Sequence, residues 1–128
     1  MKLNFIISGL FGASAVALGA VSAHAGLSDY AKDLVDQAVQ YQLFHGLAIL
    51  SLACIGREKS KILSLATVFF TLGILLFCGS LYSLGFWGSR LFTNSAPMGG
   101  SCLILGWITM LVYGLKRGLP QEELSKDD

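Results

Sequence analysis

Residues 19–27 read GAVSAHAGL, and the triplet Ala23-His24-Ala25 has the small-x-small form that a signal peptidase cuts. Lys2 precedes a long apolar stretch, so the first 25 residues can be read as an export signal or as a membrane helix that stays. The two readings differ by one span. A signal carries an apolar core of about 7 to 15 residues, whereas residues 5–23 form 19 consecutive uncharged residues, a length suited to crossing a bilayer. Within that block Ser8, Gly12, Ala15, Gly19 and Ala23 recur at helical spacing, a seam of small side chains of the kind that lets membrane helices approach closely. GAVSAHAGL therefore reads as the outer end of a retained first span, after which Gly26 releases the chain.

Working outward, the same absence of charge recurs. Of the 128 residues 54% are hydrophobic and 13% charged, against roughly a quarter charged in soluble domains, and the mean hydropathy is +0.66. No Asp, Glu, Lys or Arg falls in residues 3–28, 37–56, 62–89 or 91–115. Uncharged blocks of this length are most simply helices, because in lipid each segment must satisfy its own backbone hydrogen bonds. The pattern predicts an all-α, polytopic membrane protein: one domain, an antiparallel four-helix bundle with spans at about 4–24, 37–56, 62–87 and 97–115 and a polar tail over 116–128. The short Arg57–Lys61 stretch makes helices 2 and 3 antiparallel neighbours, and Pro97 suits the first turn of helix 4.

Seven of the nine Lys and Arg residues (Lys2, Arg57, Lys59, Lys61, Lys116, Arg117, Lys126) fall on one side of this four-span arrangement, and only Lys32 and Arg90 on the other. The positive-inside rule then places both termini in the cytoplasm. Before the second span, Leu27, Tyr30, Ala31, Leu34, Val35 and Ala38 form an apolar stripe, with Asp29, Lys32, Asp33 and Asp36 on the opposite face. Ser28 is the expected N-cap and Asp29 suits the positive end of the helix dipole. Helix 2 is thus expected to run unbroken from about 29 to 56, its residues 29–36 forming an amphipathic extension outside the membrane.

Polar side chains inside a bilayer are costly and turn toward the bundle interior. His24, Gln40, Gln42, His45, Ser80 and Tyr82 form the expected intramembrane polar cluster, shared by helices 1, 2 and 3. Gln42 and His45 lie three apart and so share a helix face. Gly12, Gly19, Gly73, Gly79, Gly99, Gly100 and Gly106 are the expected close-packing positions. Trp87 reads as an interfacial anchor, whereas Trp107, in mid-helix, must meet lipid or a neighbour. Cys54, Cys78 and Cys102 stand alone without Cys-x-x-Cys spacing and read as small apolar side chains between helices.

Several stretches together resemble one known family. LGAVSAHAGL (18–27), AVQYQLFHGLAIL (38–50), LFCGSLYSLGF (76–86) and PMGGSCLILGW (97–107) look like the four signatures of the YgdD-like family of small four-helix bacterial inner-membrane proteins, whose molecular role is not established. The resemblance covers about Ser8 to Leu115. It implies that the Ala-His-Ala stretch belongs to the mature protein, and it matches His24, Gln42, His45, Gly79, Ser80 and Tyr82 to family positions without assigning chemistry to them.

No nucleophile paired with a base, no metal-ligand spacing and no basic patch interleaved with aromatics is present. The expectation is a non-enzymatic membrane protein without cofactor, metal or nucleic-acid partner, acting in packing or assembly or as an accessory to other membrane proteins. Its partners would be the lipid bilayer, further copies of itself or other membrane proteins. The alternative is a small ion, proton or solute transporter or channel component using the region of Gln42 and His45.

Overall fold

The computed structural model describes residues 2–55 and 60–118. These residues form four helices long and apolar enough to cross a membrane: α1 (Lys2–His24), α2 (Asp29–Ile55), α3 (Lys61–Trp87) and α4 (Ser95–Gly118). No strand occurs among the described residues. At about 1.5 Å per residue each helix is roughly 35 to 40 Å long, enough to span the hydrocarbon core. Arg57 and Lys59 of the second connection, and residues 119–128 of the tail with Lys126, lie outside the described residues.

Short connections force the helices to alternate in direction. Ser8 meets Gly46 while Phe11 and Ser14 meet Gln42, so α1 and α2 are antiparallel. Gly85 faces Val35 while His45 faces Phe70, and Gly99 faces Phe77 while Gly106 faces Phe70, so α2–α3 and α3–α4 are antiparallel too. Packing runs in chain order, α1 on α2, α2 on α3 and α3 on α4, while α1 and α4 share no packed interface. The core accordingly lies in α2 and α3, where Val35, Ile49, Leu52, Phe70 and Ile74 are buried. The outer helices turn Leu3, Phe5, Ile6, Leu10, Ile104, Ile108 and Leu111 outward, as a lipid-facing surface requires.

The helix ends follow local chemistry. The Ser28 hydroxyl accepts from the Ala31 N–H at 3.3 Å and its carbonyl from the Lys32 N–H at 2.9 Å, so it caps α2 as expected. Asp29, Lys32, Asp33 and Asp36 are exposed and Val35 and Ala38 buried on the opposite face, but Tyr30, expected in the apolar stripe, is 72% exposed. It stands one position off the line of Leu27, Ala31, Val35 and Ala38 that turns inward. Gly88, in the left-handed region at φ 68°, ends α3 by donating its N–H to the Leu84 carbonyl. Pro97 falls in the first turn of α4, where a missing N–H leaves no intrahelical bond unmade.

The interior face of α1 differs from the expected seam. Buried Ser8, Ala15 and Ser22, alternating with half-buried Asn4, Phe11 and Leu18, form a line that faces Val35, Ala38, Gln42, His45, Ile49 and Leu52 on α2. Both sets alternate steps of three and four, the seven-residue repeat of helices that coil around each other. The sequence-derived seam drifts off this line at Gly12, where an added Cβ would meet nothing within 4 Å, and at the exposed Ala23. Glycine does set distances between α3 and α4. A Cβ on Gly99 would fall on the Phe77 backbone, one on Gly73 on the Leu103 side chain, and one on Gly106 2.6 Å from the Phe70 ring. Gly19 and Gly100 make ordinary contacts with Val39 and Phe77, and Gly79 faces Leu91 of the connection rather than a helix.

Gly99 lies against a π-helical turn, Ile74–Cys78, which interrupts α3. The extra residue of a π-turn rotates the remainder of the helix by about 100° around its axis. Beyond it Tyr82 reaches α2 while Ser80 reaches the start of α4. Cys78 is buried at this turn and Cys102 half-buried, whereas Cys54 is exposed, because it falls beside the heptad line of α2 rather than on it.

Candidate functional site

The polar interior is built around Gln42, 4% exposed on the face of α2 that α1 and α3 both cover. Its Nε2 donates to the Phe11 carbonyl at 2.8 Å and to the Ser14 hydroxyl at 2.7 Å, both on α1. Its Oε1 accepts from the Tyr82 hydroxyl of α3 at 2.8 Å. Both amide protons are in use, and one side chain ties three helices.

One turn further along α2, His45 is 7% exposed. Its Nδ1 lies 2.6 Å from the Tyr41 carbonyl and its Nε2 3.1 Å from Nε1 of Trp107 on α4. A carbonyl can only accept and an indole N–H can only donate, so Nδ1 carries the proton and Nε2 takes the Trp107 N–H. The imidazole is thereby held neutral in one tautomer. Tyr41, Phe70 and Trp107 surround the ring, with centroids 5.8, 5.6 and 5.9 Å away. The indole, placed in mid-helix with its partner undetermined by sequence, provides the polar tie between α2 and α4.

Other polar contacts flank this centre. The Ser80 hydroxyl lies 2.5 Å from both the Leu76 carbonyl and the Ser95 hydroxyl. Toward the opposite end the Ser8 hydroxyl donates to the Gly46 carbonyl at 3.0 Å and Asn4 Nδ2 donates to Thr67 at 3.2 Å. Of the expected cluster, then, Gln42 and Tyr82 are bonded to each other, His45 stands one turn away on Trp107, and Ser80 pairs with Ser95. His24 and Gln40 are exposed and belong to no such group. His24 lies two residues past the last seam position of α1, and Gln40 two residues from both Ala38 and Gln42, so each points away from the line its neighbours occupy.

Sequence alone does not assign Phe11, Ser14, Trp107, Ser95 or Asn4 to the site. Asn4 and Ser14 are visible as polar groups in an apolar span, but their partners are 63 and 28 residues away. Among the described residues no three His, Cys, Asp or Glu side chains converge in a way that could hold a metal ion.

The family is decided by comparison with known proteins. Residues 18–100 match the model of DUF423, described as a protein family of unknown function. The chain belongs to this family. It is 42% identical over 112 residues to a UPF0382 membrane protein of Haemophilus influenzae, covering 84% of this chain and 86% of that one. It is 36% identical over 119 residues to the UPF0382 inner membrane protein YgdD of Escherichia coli K12, covering 90% and 91%. A UPF0382 membrane protein of Staphylococcus aureus is 34% identical over 119 residues, covering 91% and 98%. No solved structure matches. The DUF423 assignment agrees with the resemblance carried by the four sequence signatures, and with four helices of spanning length it makes the chain a multi-pass membrane protein.

Proposed function

We propose that this DUF423 protein is a non-enzymatic inner-membrane protein that works through lateral contacts, stabilising or accompanying other membrane proteins or further copies of itself. The observation that carries this reading is the engagement of the two buried polar groups at the centre, Gln42 and His45, with neighbouring groups. Gln42 uses both amide protons and its carbonyl on helix neighbours, and both ring nitrogens of His45 are occupied. A carrier or proton relay needs a polar group with capacity left for its cargo, whereas these groups spend theirs on packing. Each interhelical hydrogen bond in a membrane contributes about 0.6 kcal/mol, so the set adds stability and, more importantly, fixes register. The broad apolar faces of α1 and α4 supply the lateral surface.

The same reading places both termini in the cytoplasm with the first helix retained. Lys2, Lys61, Lys116 and Arg117 gather at one end of the bundle and Lys32 and Arg90 at the other, which supports that orientation. Accessibility of single cysteines introduced at residues 2 and 90 to a membrane-impermeant reagent in intact cells tests it. Labelling at 90 and protection at 2 is the expected outcome.

The transport alternative makes the opposite prediction at His45. In proteoliposomes the purified protein is expected to conduct no more protons than empty vesicles, and His45→Ala to lower thermal stability and cellular abundance. A wild-type proton flux that His45→Ala abolishes, with folding and abundance intact, overturns the packing role in favour of transport.

A further inference from the structure

The polar centre does not absorb the cavity at the other end of α3, a space of about 200 Å³ between the last turns of α3, the connection to α4 and the first residues of α4. Three observations define what it can hold. Its wall is mostly apolar, with Leu84, Phe92 and Pro97. Arg90, with Lys32 one of the two cations at this end of the bundle among the described residues, lines it together with Asn94, which is held in the left-handed region at φ 66°. Ser80 and Ser95 also line it, at 1% and 3% exposure.

The serine pair has a property that matters for an anion. Ser80 lies 2.5 Å from two acceptors, the Leu76 carbonyl and the Ser95 oxygen, but has one proton to donate. When that proton goes to Leu76, Ser95 donates to Ser80. When it goes to Ser95, the Ser95 proton is released to another acceptor at the cavity. An anionic oxygen entering the cavity can therefore be met by a buried hydroxyl donor without breaking the contact between α3 and α4. Such an oxygen would find a guanidinium, which suits phosphate geometry, and an apolar wall that suits hydrocarbon.

Position selects among phosphate-bearing molecules. The cavity lies at the end of the bundle where Trp87, 76% exposed, closes α3, and an exposed Trp at a helix end marks the headgroup level of a bilayer. We propose that this cavity is a binding site for the phosphate ester of an anionic phospholipid of the adjoining leaflet, with Arg90 on the phosphate, Ser95 donating to it and Leu84, Phe92 and Pro97 against its glycerol and upper chain. Neither the packing role nor the polar centre is needed for this site.

The test is lipid retention by the full-length protein, released from nanodiscs of phosphatidylcholine and phosphatidylglycerol and weighed by native mass spectrometry. The wild type is expected to retain phosphatidylglycerol in preference to phosphatidylcholine, and Arg90→Gln to lower that preference about fivefold, the effect of one cation near an anionic lipid surface. Ala96→Phe keeps the charge and fills the cavity, and is expected to lower it comparably. Lys32→Gln, at the same end of the bundle, is expected to leave it unchanged. Unfolding temperatures in phosphatidylcholine alone establish that each variant is folded, and Ser95→Ala supplies a milder lesion should Ala96→Phe fail to fold. An equal loss in Lys32→Gln, or preference kept in Arg90→Gln, overturns the site. Stabilisation of the wild type by inorganic phosphate in phosphatidylcholine, without preferential retention of phosphatidylglycerol, assigns the cavity to free phosphate and overturns the lipid.

Discussion

The two hairpins of the bundle solve one problem by different chemistry. Lipid tails are as apolar as leucine, so membrane helices gain nothing from hiding hydrocarbon from each other. Between α1 and α2 the bond is polar: Ser8 to the Gly46 carbonyl, and Gln42 to Phe11 and Ser14, set at intervals along a heptad seam. Between α3 and α4 it is close approach, with Gly99 on the backbone of a π-turn and Gly73 and Gly106 on Leu103 and Phe70. Hydrogen bonds fix register and tolerate some distance; glycine contacts hold the backbones near each other and tolerate almost none. The first hairpin should thus respond to substitution gradually and the second abruptly.

Gly99→Ala is the harshest test of that contrast. The added methyl meets backbone atoms of Phe77 and Leu76, which no rotamer change can move, so α4 must shift. A loss of about 3 kcal/mol, the upper range for overpacking, is expected in reversible unfolding in mixed micelles. A loss under about 0.5 kcal/mol would show that the second hairpin is as tolerant as the first, and the comparison would break. Gln42→Leu comes next, at roughly 1 to 2 kcal/mol, since three bonds of about 0.6 kcal/mol each disappear together. Methionine at this position is expected to lose as much, which separates the missing bonds from the changed shape. His45→Phe keeps a ring among Tyr41, Phe70 and Trp107 but removes the acceptor for the indole. A loss near 0.6 kcal/mol is expected, with a blue shift in Trp107 emission read in a Trp87→Phe background. Gly12→Ala should be the mildest, within about 0.5 kcal/mol of wild type, because its Cβ would enter open space. Destabilisation there beyond about 1 kcal/mol would restore the seam read from sequence.

The ends of the helices were legible because charge is so unevenly distributed. Lys2, Asp29, Lys61 and Lys116 each stand within two residues of a helix end, since a bilayer admits few charges between. The phase of each face was harder to read. In α1, small residues at 8, 12, 15, 19 and 23 fit a straight helix, but α1 coils on α2 and follows 8, 11, 15, 18 and 22. Gln42 and His45 could be recognised as inward-facing from polarity alone, while their partners could not, because pairing across 40 and 62 residues leaves no periodic trace. The π-turn has no signature either: Ile74–Cys78 reads ILLFC, as apolar as the α-helical turns around it.

The packing order also bears on how the chain reaches this state. The main interfaces join helices that are consecutive in sequence; Asn4 of α1 reaching Thr67 of α3 and Trp107 of α4 reaching His45 of α2 are bonds that skip a helix, and α1 shares no packed interface with α4. Each helix therefore meets its partner as soon as synthesis delivers it, with a connection of only a few residues to close. The first hairpin can be complete, Gln42 already bonded to α1, before α3 has been made, and Tyr82 and Trp107 then close on a surface that is already waiting for them.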